Sequence, residues 1–455
     1  MWNQQIKERI RNILKRFESY FSYISIRYEN ATYTTIKGPD LSLKEVGTSY
    51  ETGYALTVKY NNQSYHFSLH HEKDIYHSLE NLINKNSIQK DNISRKNNPQ
   101  KINYCDDIHR LISFRKVNHT EKIEFINQIY KLSSNYSLIL QPFNYFDCSK
   151  NVIFIDTDEK SIDQVQIYMG FYAEALLEDD IDSGFAIPIS LGSYDGLINL
   201  SDVEEKIKTA QQVLNKLITN GVEPPSGVFD VILSPELSAT LIHEVVGHIS
   251  EADTFNNNIL KLGSKVSIDE LNVSDVPMEC RGFQYDDEGT KSTNKTIIKN
   301  GYFTGLLHSK KTSDTNLSGN GRAVSYRFSP ICRMKQTYIE PGKSSLEEMF
   351  RNLNNGLYLV GYRGGNVFEG KFNIQSAYGF YVENGQLTSV FPSVGIHGYA
   401  EEVLKQINLI GNDLELIRDA GGCDKHDQYN LPNEMKSPSL LIKNLKIGDN
   451  VKYEI

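Results

Sequence analysis

Two histidines and two glutamates crowd into Leu241-Ile-His-Glu-Val-Val-Gly-His-Ile-Ser-Glu251. His243 and Glu244 are adjacent, and His248 follows the first histidine by five positions. Imidazoles are frequent metal ligands, and a carboxylate beside one is placed to take a proton from metal-bound water. The neighbours Leu241, Ile242, Val245, Val246 and Ile249 are apolar, so the segment reads as a buried helix. A buried imidazole pair needs partners to offset its desolvation, and a metal ion supplies one. A surface helix that happens to hold two histidines does not suit this apolar surround.

The spacing sets a structural requirement. Zinc helices of the His-Glu-x-x-His kind space their histidines four apart, on one face. At about 100° per residue, a spacing of five would turn the two side chains roughly 140° apart on a regular helix. Joint coordination therefore requires the helix to widen or end between them, and Gly247 suits such a distortion. Two histidines do not complete a catalytic zinc site, which usually has three protein ligands and one open position. Cys423, on the glycine-flexed Asp419-Ala-Gly-Gly-Cys-Asp-Lys425 loop, can bring a thiolate. Glu251, Asp253 and His426 compete with it, and spacing alone does not rank the four. A second histidine group, His66, His70 and His71, lacks an accompanying carboxylate or cysteine triad and reads as non-metal.

The supports of the segment lie on either side of it. Val228–Leu233 reads as a strand, and Ser234-Pro235 opens the helix, serine capping free amides and proline fitting the first turn. The breaker-rich Gly221-Val-Glu-Pro-Pro-Ser-Gly227 divides the chain into an N-terminal α/β domain (1–220) and a C-terminal, mainly β domain (221–455). In the first, Ile6, Ile10, Ile13, Leu14, Phe17 and Phe21 mark an amphipathic helix. Strands follow at Tyr23–Tyr28 and Gly53–Tyr60, the latter turning at Asn61-Asn62 into a hairpin with Tyr65–Phe67. Residues 86–101 are polar and aperiodic and read as a long loop. A helix over Lys122–Leu132, a buried strand over Asn151–Asp156 and a helix from Val203, capped by Ser201 or Asp202, complete this part. Beyond the metal segment the pattern is mostly β, with hairpins turning at Asn300-Gly301 and Asn384-Gly385 and helices near 345–354 and 400–406. The fold class is α+β.

Composition narrows the function. A chain of 455 residues with 39% hydrophobic and 23% charged residues is ordinary globular material. A net charge of −9 gives no electrostatic footprint for nucleic acid, so a regulator acting on DNA machinery is not favoured. No secretory signal or bilayer-length apolar window is visible. Five scattered cysteines without a CxxC pair fit reduced thiols and a cytoplasmic protein.

Several further motifs occur in order with the histidine segment. They are Tyr285-Asp-Asp-Glu-Gly-Thr290, Ser318-Gly-Asn-Gly-Arg322, Arg333-Met334 with Thr337-Tyr338, Pro341-Gly342, Gly364-Gly365, Gly370-Lys-Phe372, Ile410-Gly-Asn-Asp413 and Gly421-Gly-Cys423. With Leu241–Phe255, this set resembles the TldD/PmbA family of metallopeptidases across nearly the whole chain. The resemblance implies that His243, His248 and Cys423 bind zinc and that Glu244 is the general base. It implies an N-terminal α/β domain and a mainly antiparallel, barrel-like β domain holding the site. It also implies a homodimer, or a heterodimer with a related subunit, enclosing a chamber for peptides or unfolded polypeptide segments. The stretch Gly361–Gly370 is shorter than in the active branch, and Ser376-Ala-Tyr-Gly-Phe380 is closer to the metal-less branch.

The function expected is zinc-dependent peptide hydrolysis, with Glu244 passing a proton from water to the leaving amine. His308, Arg322 and Tyr326 are candidates for stabilising the oxyanion. The alternative is a peptide-binding or assembly subunit whose zinc is structural, with a fourth protein ligand in place of water.

Overall fold

The apolar stripe of the first helix, Ile6, Ile10, Ile13 and Leu14, is buried against Ile24, Ile26, Leu56 and Val58 of the strands that follow. A computed structural model describes residues 2–38, 44–90, 101–194, 196, 198–313, 318–418 and 420–448. Most of the polar stretch read as a loop, residues 91–100, lies outside these.

The elements up to the metal segment are α1 (Trp2–Phe17), β1 (Tyr23–Gly38), β2 (Glu45–Tyr60), β3 (Gln63–Leu69), α2 (Glu72–Lys85), β4 (Ile102–Cys105), α3 (Ile108–Lys116), α4 (His119–Asn135), β5 (Leu138–Asp156), β6 (Lys160–Leu177), β7 (Ile187–Ser193), α5 (Leu200–Asn220), β8 (Gly227–Leu233) and α6 (Pro235–Ile242). Strands β1 to β7 form one seven-stranded sheet in the order β3-β2-β1-β5-β6-β4, with β7 on β6. β2 and β3 meet in a two-residue turn at Asn61 and Asn62, both in the left-handed region that asparagine tolerates (φ 48° and 62°). α5 is capped by Asn199, whose side chain accepts from the Ser201 amide, and not by Ser201 or Asp202. The helix starts at Leu200, earlier than its apolar periodicity shows.

From Gly227 on the chain is mainly β. β8 sits inside a nine-stranded sheet, antiparallel to Leu440–Ile447 and parallel to Gly356–Val360. A six-stranded sheet includes Val273–Val276, Gln336–Ile339 and Glu434–Ser437. The fold is α+β with a closed five-stranded barrel in this C-terminal region. Both Asn-Gly turns are present, with φ of 49° and 73° at Asn300 and Gly301 and of 51° and 73° at Asn384 and Gly385. Among the described residues, no helix is long and apolar enough to cross a membrane.

The two regions are joined by apolar packing and by buried charge. Val203, Ile207, Ala210 and Leu214 of α5 share a core with Tyr378, Phe380 and Val390 of the C-terminal sheet. Arg27 of β1 is 2% exposed, pairs with Glu29 and Asp287 at 3.0 Å each, and donates to the Ser325 carbonyl. Removing one partner of a buried ion pair strands the others, a loss of about 3–5 kcal/mol. Arg27→Met is expected to lower the unfolding free energy by that amount and so shift the urea midpoint down; an unchanged midpoint would show that the junction does not depend on this network.

Candidate metal centre

α6 begins where the sequence places it. Ser234 caps it through the Leu237 amide and Pro235 fills the first turn. Its side chains are buried, and Leu237, Leu241 and Ile242 enter the main C-terminal core with Val245, Val246 and Ile249. Near-complete burial, with Glu236, Glu244 and His248 the partly exposed exceptions, is why the segment is mostly apolar.

At His243 the helix widens. Residues His243–Gly247 form a π-turn in which the His248 amide donates to the His243 carbonyl five residues back, and His248–Ser250 then tighten into a 3-10 turn. The five-residue spacing is thereby matched by a turn of five residues, and the two imidazole centroids lie 5.0 Å apart. Gly247 permits this turn to pack, because a Cβ there would lie 1.9 Å from Met334 Sδ. Met334 is itself buried in the same core. Gly247→Ala is expected to cost about 1–3 kcal/mol through overpacking and to spoil metal retention. Thermal unfolding and metal content of the purified variant check this; wild-type values for both would contradict it.

The third side chain arrives from far along the chain. Cys423 starts the short strand Cys423–Lys425, paired with Gln428–Leu431, and Gly422 before it has φ of 73° and no room for a Cβ against the Leu431 carbonyl. Cys423 Sγ lies 3.4 Å from His248 Nε2 across a sequence separation of 175. The donor atoms of His243, His248 and Cys423 all lie within 4.8 Å of one another. The fully buried Arg333 donates to the Cys423 carbonyl and fixes the strand from behind.

The outer ring nitrogens are held as well. His248 Nδ1 meets Glu251 Oε2 at 3.1 Å, and His243 Nδ1 meets Thr337 Oγ1 at 3.4 Å. Such contacts fix ring orientation and raise ligand basicity. Burial alone would raise the Cys423 thiol, but His248 and His243 pull it well below its ordinary value. Burial would lower His248, yet Cys423 and Glu251 drive it well above. The two groups favour the anionic thiol and the protonated ring in each other's presence, so a metal ion would take the place of the His248 proton and keep Cys423 as thiolate. Burial pushes the Glu244 carboxyl up, against the opposing pull of His248 and His243. Two imidazoles and a cysteine sulfur, His248 half-buried and the other two buried, form a donor set that suits zinc.

The remaining candidates separate cleanly. Glu251 and Asp253 both pair with Lys425, Glu251 also holds His248, and Asp253 accepts from the Cys332 amide. His426 lines the cleft but stands outside the three-donor group. None of the oxyanion candidates lines the cleft: His308 contacts Thr312, Arg322 donates to the Pro432 carbonyl, and Tyr326 contacts His70. His66 contacts Thr57 and is pushed down to about 4 by burial and by Arg27, so it stays neutral. Among the described residues, His243, His248 and Cys423 are the metal-compatible group.

The group lies in a cleft of about 720 Å³ walled by Glu244, by the Gly365–Gly370 segment and by the cysteine hairpin. Thr337, Arg333 and Glu251 serve the site from behind; from sequence, Thr337 and Arg333 stand only as ordered motif positions and Glu251 as a competing ligand.

Residues 226–449 match the family profile of the PmbA/TldA metallopeptidase C-terminal domain. A metalloprotease of Methanocaldococcus jannaschii is 31% identical over 438 residues, covering 89% of this chain and 93% of its own. The zinc metalloprotease TldD homolog of Saccharolobus solfataricus is 28% identical over 465 residues, covering 96% and 99%. The solved structure of TldE from Thermococcus kodakarensis superposes with a TM-score of 0.73 at 17% identity, covering 97% of this chain and 100% of that one, and so shares the fold. By its full-length similarity to these metalloproteases, the chain belongs to the TldD/PmbA family of metallopeptidases.

Proposed function

We propose that the chain is a zinc-dependent peptidase that hydrolyses peptides or unfolded polypeptide segments. The observation that supports this most is the meeting of two imidazoles, a thiol and a carboxyl at one cleft. His243, His248 and Cys423 would hold the metal. When bound, zinc supplies a Lewis acid for the peptide carbonyl and a water of lowered pKa. Glu244, adjacent to His243 and lining the same cleft, accepts the water proton and delivers it to the leaving amine. Glu251 and Thr337 hold the imidazoles against rotation through the cycle. The cleft, about 720 Å³, has room for an extended segment and not for a folded domain.

Among the described residues the donor group has three members, which supports a fourth position open to water over a structural site closed by protein. The family resemblance supports a dimer, of two copies or with a related subunit, that encloses the cleft in a chamber. Five free cysteines support a reducing, cytoplasmic setting.

The test is cleavage of a reduced, unfolded polypeptide by the purified zinc-loaded assembly. Fragments that vanish on chelation and return with added zinc are expected. An intact substrate under conditions where zinc is bound would favour the assembly-subunit reading.

A further inference from the structure

Lys425 borders the same cleft, yet the contacts of its ammonium are with Glu251, Asp253 and the Cys332 carbonyl and not with the three donor atoms. Its side chain is 7% exposed. An ammonium has three donors, and all three are occupied: Glu251 Oε2 at 3.0 Å, Asp253 Oδ1 at 2.7 Å and the Cys332 carbonyl at 3.1 Å. No donor is left for a substrate group, so a role in binding peptide carboxylates is ruled out by its own geometry.

The contacts close a ring. Cys423 Sγ faces Nε2 of His248, and the opposite nitrogen of that imidazole, Nδ1, meets Glu251 Oε2. The same Oε2 receives Lys425, which stands two residues past Cys423 on the same short strand. Because one carboxylate oxygen serves both partners, a shift of the cysteine strand is transmitted to the ring of His248. Asp253, on the far side, ties the ammonium to the Cys332 amide and stops it from swinging out.

We infer that Lys425 is a positioning residue, a latch that sets Cys423 in register with the histidine turn so that the thiolate and both imidazoles converge. The inference rests on the zinc reading above. Its physical basis is that the two halves of the donor set are separated by 175 residues, and a short two-stranded hairpin has little rigidity of its own. Arg333 holds that hairpin by its backbone, but the Lys425–Glu251 pair links it directly to a metal-facing ring.

The experiment is a titration of the full chain with Co2+, reading the near-ultraviolet sulfur-to-cobalt charge-transfer band that reports thiolate ligation. The wild-type chain is expected to show the band. Lys425→Met should weaken apparent cobalt affinity by roughly 10–100-fold and diminish the band, and Lys425→Arg should recover most of both. Should Lys425→Met alone fail to fold, Lys425→Met with Glu251→Gln removes the stranded carboxylate at the ring. A latch acting through Glu251 predicts that this double variant is no weaker than the weaker foldable single variant. A Lys425→Met chain with wild-type affinity and band, or additive losses in the double variant, would overturn the latch and leave the metal site standing. A wild-type chain without the sulfur band would overturn the metal reading and the latch with it.

Discussion

Glu244→Gln is expected to keep its zinc and to lose peptide hydrolysis by about 10²–10⁴-fold, the range for removal of a positioned general base. The carboxamide fills the same volume, so the π-turn and its packing remain. It cannot accept a proton from water at neutral pH. Glu244 lies outside the group formed by His243, His248 and Cys423, so metal content should not change with the substitution. Metal analysis and turnover on the same preparation separate the two effects. Undiminished turnover would remove Glu244 from the mechanism, and loss of zinc would make it a ligand.

The second large effect is on Cys423. Cys423→Ser should weaken zinc binding by more than the roughly 10–100-fold that follows loss of an outer partner. Serine keeps the shape and discards the anion: its hydroxyl does not ionise under the pull of His248 and His243 as the thiol does. The imidazole pair would then hold the metal without charge compensation. The fold should survive, because Arg333 holds the strand through the Cys423 carbonyl and Lys425 pairs beyond it. Competition with a chromophoric chelator measures the affinity, and circular dichroism checks the fold. Wild-type affinity in the serine variant would place the third ligand elsewhere.

What could be read from the sequence follows the range of the interactions involved. His243, Glu244 and His248 are close in sequence, and their awkward spacing already demanded the distortion that the structure shows as a π-turn ahead of His248. The three Asn-containing turns were legible because left-handed backbone conformations select asparagine and glycine. Cys423 was not separable from Glu251, Asp253 and His426 by spacing, since its approach depends on the path of the C-terminal sheets; the resemblance made the choice. Thr337, Arg333 and Lys425 were beyond reach for the same reason, their roles existing only once strands distant in sequence are stacked. Strand lengths were underestimated too. β1 runs on from Tyr28 to Gly38 through Asn30 and a threonine-rich stretch, where pairing with β2 and β5 outweighs the weak strand preference of asparagine. α2 went unrecognised because Ile75, Leu79 and Leu82 give it only a narrow apolar stripe behind the histidines at 70 and 71.

The central claim is that segments far apart in the chain meet as one His-His-Cys zinc site. Zinc-edge X-ray absorption of the purified, zinc-loaded chain addresses it most directly. One sulfur at about 2.3 Å, with nitrogen and oxygen donors at about 2.0–2.1 Å completing the shell, is the predicted result. A shell without sulfur, or with more than one, would contradict it.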